Sequence, residues 1–328
     1  MWTTEFERFV APARRAPALW RLGVGIVVIA AMWGFSTMGL FALFGLFGGP
    51  DGTAVWTEKL QSGQSPTATI LFLLTFIGLA GGTALAARWL HRRPSGSLVG
   101  PRQGPAFAAG AAALMLVTVG TTLVPSEIRL QPGSSTDLFL TFLPVALLAL
   151  LIQAGAEEVA FRGYLQTQLA ARFRSPIVWM VLPSLGFGLL HLDPGTNGAN
   201  AWLVVAATAL VGLIAADLTR VTGGIGAAWG LHFANNAVVI LVVSAEGPLG
   251  GLALWRADIR PDDPGLTPLL WLDMAALVLV WALLRGWFRW RAKRMPGAGA
   301  DQPTALGRIM ETRSDRLEAL RAPAQPPI

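Results

Sequence analysis

The side chains able to do chemistry in this chain crowd into its second half, in apolar surroundings. Glu157, Glu158 and Arg162 lie in AGAEEVAFRGYLQ, His191 closes FGLLH, and His232 and Asn236 lie in HFANN. Ionisable groups placed in hydrocarbon are costly and need a reason. Residues four apart share a helix face, so Glu158 pairs with Arg162, Phe187 with His191 and His232 with Asn236. Glu157 is then turned about 100° from Glu158 and faces elsewhere. A carboxylate, two imidazoles and an amide supply a proton acceptor, a second proton carrier and donors for a developing negative charge. Hydrolysis of an acyl bond needs those three roles. Serine machinery is not evident: G-x-S-x-G is missing, the Ser in PSLGFG stands alone, and H-E-x-x-H is absent too. Zero Cys excludes thiolate catalysis, disulfides, Fe–S clusters and cysteine zinc sites.

Composition names the solvent in which these groups must be positioned. Of 328 residues, 53% are hydrophobic and only 13% charged, about half the charged load of a soluble domain. With a mean hydropathy of +0.54, the chain reads as an all-α polytopic membrane helix bundle. A bilayer core of about 30 Å needs roughly 20 apolar residues per helix. Eight runs qualify: Leu22–Gly48, Thr67–Leu90, Pro105–Val124, Leu138–Ala156, Pro176–Leu192, Ala201–Leu218, Gly224–Val243 and Leu266–Trp287, the fifth and sixth being short. The first begins after Arg14, Arg15 and Arg21 but is too long for a signal-peptide core, and is expected to stay as an anchor. Basic residues outnumber acidic ones 25 to 19, yet they cluster beside the apolar runs, where they orient helices rather than bind nucleic acid. They favour alternate loops, which places both termini in the cytoplasm.

Four regions follow: three N-terminal spans in residues 1–136, a core of four spans in 137–245, an outer loop and last span in 246–295, and a flexible cytoplasmic tail in 296–328. Within the tail, Ile309–Arg321 has the pattern of a short charged helix. Helical periodicity does not stop at Glu157; it continues to the Ser175–Pro176 break. A single helix over Asp137–Phe173 would be about 55 Å long, too long for one upright crossing, so tilt, a kink near Pro144 or an extension must absorb the excess. The midpoint of positions 157 and 191 falls at the break, so an antiparallel hairpin sets Glu157 opposite His191.

Each feature alone has a duller explanation. Glu158–Arg162 reads as a structural ion pair, Asn236 as glue between helices beside Gly226, Ala227 and Gly230, and Phe187 as packing. Asp217 reads as a cap or a partner of Arg220, His91 as part of the basic second loop, and Asp273 carries no strong reading. Combined in consecutive spans, the first four polar groups form an improbable set of unrelated choices. Three functions use such a set: hydrolysis, proton-coupled transport with Glu and His as relays, or a zinc-dependent variant in which Glu157, His191 and His232 are metal ligands. A non-catalytic membrane scaffold is the fourth reading.

EEVAFR matches E-E-x-x-x-R, FGLLH matches F-x-x-x-H and HFANN matches H-x-x-x-N, in that order and each in an apolar segment. The chain thereby resembles the CPBP family (CAAX proteases and bacteriocin-processing enzymes), whose best-known members are type II CAAX prenyl endopeptidases. The resemblance covers Leu138–Val243, and no motif position departs from it. It implies an intramembrane glutamate-dependent endopeptidase with no required cofactor, acting on a membrane-associated protein or peptide. Carried over, Glu157 activates the hydrolytic water with help from His191. His232 and Asn236 stabilise the oxyanion, and Glu158 and Arg162 hold the first motif in shape. Abundant Ala and Arg with little Lys suggest a GC-rich bacterial genome, hence the inner membrane.

Overall fold

The computed structural model describes residues 2–294 apart from 50, 63–64, 125–127 and 246–249. The tail expected to be flexible, with its short charged helix, lies outside the described residues. The chain divides into a body, Met1–Phe288, and a second unit from Arg289, of which the last turns of a helix are described. The principal helices are α1 (Thr4–Val10), α2 (Leu19–Phe47), α3 (Pro66–His91), α4 (Gly104–Thr121), α5 (Thr136–Arg172), α6 (Ile177–Leu189), α7 (Ala201–Thr222), α8 (Gly226–Val242) and α9 (Thr267–Arg294).

Six of these elements, α2–α5, α7 with the turn from Pro194, and α9, are long and apolar enough to cross a membrane. The chain is thus an integral membrane helix bundle. α6 and α8 are shorter apolar helices. Of the two runs expected to be short, the fifth is, and the sixth is not: α7 continues past Leu218 through Thr219 and Arg220 to Thr222, and Gly223, in the left-handed conformation, ends it. Hydropathy stops that run too early because it counts Arg220 as solvent-facing. In the fold Asp217 is buried, with Arg220 Nη2 at 2.7 Å, Arg285 Nη1 at 2.9 Å and the Trp281 indole N–H at 2.9 Å. The expected Arg220 pairing is present, and α9 adds two further donors.

Helices meet through small residues, as is usual where lipid offers no hydrophobic incentive to associate. Gly110 and Gly230 let α4 and α8 approach until backbone touches backbone, and Gly188 and Gly212 do the same for α6 and α7. Gly155 of α5 lies flat against the Trp229 indole of α8, where an added Cβ would sit 2.6 Å from the ring. Ala would raise helix propensity at this position by about 1 kcal/mol. Gly155→Ala is nonetheless expected to cost a net 1–3 kcal/mol or so, because the indole is pinned by its N–H donating to the Leu151 carbonyl at 3.0 Å. Thermal unfolding in detergent checks this; a stabilised variant would mean that α5 and α8 do not touch here.

At the end opposite the arginine clusters, the connections form a three-stranded sheet that the all-helical reading did not anticipate. β1 (Leu130–Pro132) pairs antiparallel with β3 (Trp255–Ala257), which pairs parallel with β2 (Val243–Ser244). The sheet ties the α4–α5 connection to the one between α8 and α9.

The second loop is also unlike its expectation. His91 is not a loop residue but the buried last residue of α3. Its Nδ1–H donates to the Ala16 carbonyl at 2.9 Å, and its Nε2 accepts from the Tyr164 hydroxyl at 2.8 Å. Arg93, counted as a flanking charge, is buried as well and donates to the Thr167 hydroxyl and the Gly163 and Ser97 carbonyls. Burial pulls its pKa down to about 10, so it stays cationic at neutral pH. Both residues grip α5 just beyond its glutamates.

Candidate active site

α5 is one continuous 37-residue helix, as its periodicity indicates, with Pro144 inside it. It is α-helical as far as Glu158 and widens into a π-helix over Val159–Gln166. Such widened turns are rare and recur at functional sites. A break at Phe173–Pro176 then leads into α6, whose length of about 20 Å is less than a bilayer core. His191 follows just past its end.

Glu158 is fully buried and serves two partners through one oxygen. Its Oε1 accepts from Arg162 Nη1 at 3.0 Å and from His232 Nδ1 at 2.9 Å. With Nδ1–H committed to Glu158, the His232 ring is fixed so that Nε2 points to the neighbouring carboxylate, 3.4 Å from Glu157 Oε2. The two adjacent glutamates thus straddle one imidazole. Glu157 Oε2 is buried and makes no hydrogen bond.

Phe187 is the packing hub beneath the two histidines. Its ring centroid is 4.9 Å from that of His191 and 5.9 Å from that of His232, and the Arg162 guanidinium lies 4.9 Å over its face. His191 Nδ1–H donates to the Phe187 carbonyl at 2.8 Å, which leaves Nε2 with a free lone pair. One helical turn of F-x-x-x-H therefore both shelves the rings and sets a tautomer.

Asn236 lies one turn after His232, and its amide N–H donates to Gln153 Oε1 at 2.8 Å. Gln153 was not singled out from the sequence. Its signal was a neutral amide in an apolar run, one turn before Glu157. One N–H of Asn236 is used in this bond, and an amide carries two. Ser184, the lone serine of PSLGFG, donates to the Met180 carbonyl and belongs to helix packing.

Among the described residues, no three His, Asp or Glu side chains group as metal ligands. Within the set Glu157, His191 and His232, both histidines are anchored at Nδ1, by a carbonyl and a carboxylate, and keep Nε2 for other partners.

A membrane bundle with a carboxylate and two oriented imidazoles held below its surface defines the class to which comparison adds a family. Residues 139–238 match the family model described as Rce1-like, type II CAAX prenyl endopeptidase Rce1-like, and this segment spans all three motifs. The resemblance drawn from those motifs is borne out over the matched segment, which is similar to that family of endopeptidases. A protein of Bacillus subtilis (strain 168), uncharacterized protein YyaK, is 24% identical over 254 residues, covering 74% of this chain and 84% of the relative. No solved structure matches.

Proposed function

We propose that the protein is an intramembrane endopeptidase that hydrolyses a peptide bond in a membrane-associated protein or peptide, with Glu157 as general base. The observation that supports this best is the His232 imidazole, fixed by Glu158 at Nδ1 and facing the unbonded oxygen of Glu157 at Nε2. Water held between Glu157 and the free Nε2 of His191 loses a proton to Glu157 as its oxygen attacks the scissile carbonyl. The tetrahedral oxyanion accepts from the second N–H of Asn236, and from His232 when that ring is doubly protonated, with Nδ1–H on Glu158 and Nε2–H on the oxyanion. Preorganised donors of this kind are each worth about 3 kcal/mol where water is excluded. The proton on Glu157 then passes to the leaving amine as the C–N bond breaks. No metal takes part in these steps. The protein is placed in a bacterial inner membrane with both termini cytoplasmic, on the distribution of its arginines.

The test is profiling of new N-termini in membranes from cells with wild type or His191→Ala, the latter at equal abundance. A defined set of cleaved peptides is expected to vanish with His191→Ala while their precursors accumulate, and to persist in wild-type membranes after exhaustive chelation. Identical profiles would overturn the assignment.

A further inference from the structure

The 3-10 turn Ala11–Arg15 before α2, the start of α2 and the end of α3 make a second, arginine-rich polar site, apart from the glutamates. Arg15 Nη1 lies 3.5 Å from the Arg92 carbonyl, and Arg21 donates to the carbonyl of Leu90. Arg88 lies in the last turn of α3, four residues before Arg92, so four arginines belong to the same short stretch of surface. Among the described residues none of the four is ion-paired with a carboxylate. Arg92 also holds a left-handed backbone, φ 53°, at the position after a helix where glycine is usual. Uncompensated charge and a strained backbone at one point are a conjunction that a bound anion accounts for.

The surroundings identify the anion. Trp20 and Trp89 are exposed beside these arginines, with the Arg21 guanidinium 5.1 Å over the Trp20 ring. Indoles and guanidiniums at the end of an apolar span mark headgroup level. Below them, Val24 and Val27 leave an apolar strip of α2 uncovered, as an acyl chain requires. We infer that Arg15, Arg21, Arg88 and Arg92 bind the phosphate of an anionic phospholipid. With no carboxylate paired there among the described residues to receive an ammonium group, a net-negative headgroup matches the site better than a zwitterionic one. The residues on either side of Arg92 bond to Tyr164, Gly163 and Thr167 of α5, so an occupied site braces the widened turn that follows the glutamates. This inference does not depend on the proteolytic reading.

Thermal unfolding of the purified full chain in detergent, with added phosphatidylglycerol, phosphatidylcholine or inorganic phosphate, tests it. Phosphatidylglycerol is expected to raise Tm by at least about 2 °C, and the other two to leave it unchanged. Arg92→Gly relieves the left-handed strain and is expected to raise the lipid-free Tm, yet to weaken phosphatidylglycerol binding about fivefold; Arg15→Gln weakens it by a similar factor. An equal shift with phosphatidylcholine or with free phosphate, or an unaltered phosphatidylglycerol response in both variants, overturns the assignment.

Discussion

Glu157→Gln is expected to lower the rate of cleavage by about 10²–10⁴-fold, the range a positioned general base contributes, with the bundle still folded. The substitution keeps shape and volume and removes only the capacity to take a proton. The carboxylate it replaces is buried and has an oxygen with no hydrogen bond, an arrangement that stability alone does not favour. The variant is therefore expected to unfold at the same temperature as wild type or higher, the usual direction when a functional polar group is neutralised. Loss of activity with unchanged or raised Tm separates a catalytic role from a structural one. The measurement is single-turnover cleavage of a substrate found by N-terminal profiling, paired with thermal unfolding. Wild-type rates in Glu157→Gln would move the base to another residue and end the mechanism proposed for His191 with it.

The sequence carries the helices and the motifs because both are written in spacing. E-E-x-x-x-R puts Glu158 and Arg162 on one face, and their buried ion pair follows from that alone. The hairpin break at Ser175–Pro176 and the unbroken periodicity of α5 are legible for the same reason. What escapes is everything that depends on which charged residues are solvated. His91 and Arg93 follow an apolar run and look like a flank, yet the chain turns inward and buries both against α5. Arg220 shortens α7 on paper because hydropathy has no term for its ion pair with the buried Asp217. The π-helical widening after Glu158 leaves no mark in residue types, since it is a change in hydrogen-bond register imposed by packing. Gln153 carries no charge to draw attention within an apolar run, although it takes the amide of Asn236.

Removing either partner of the Glu158–Arg162 pair is expected to be the most destabilising change in the protein. Both groups are buried, so Glu158→Leu leaves a guanidinium, and Arg162→Met a carboxylate, without its counter-charge. Such losses cost about 3–5 kcal/mol, which lowers Tm by roughly 10 °C in a chain of this size. The double variant Glu158→Leu with Arg162→Met is expected to recover most of that loss, because apolar replacements of both partners remove the desolvation cost as well as the attraction. Cleavage is not expected to recover. The carboxylate of Glu158 also holds His232 Nδ1 at 2.9 Å, and without it the imidazole is free to turn Nε2 away from Glu157. Losing the group that orients a catalytic imidazole costs up to about 10⁴-fold elsewhere, and a loss of at least about 10²-fold is expected here. Stability restored without activity would show that the second glutamate does more than hold the motif together: through one oxygen it fixes both the helix and the imidazole. Restored activity in the double variant would reduce Glu158 to a structural role and leave the orientation of His232 to Phe187 alone.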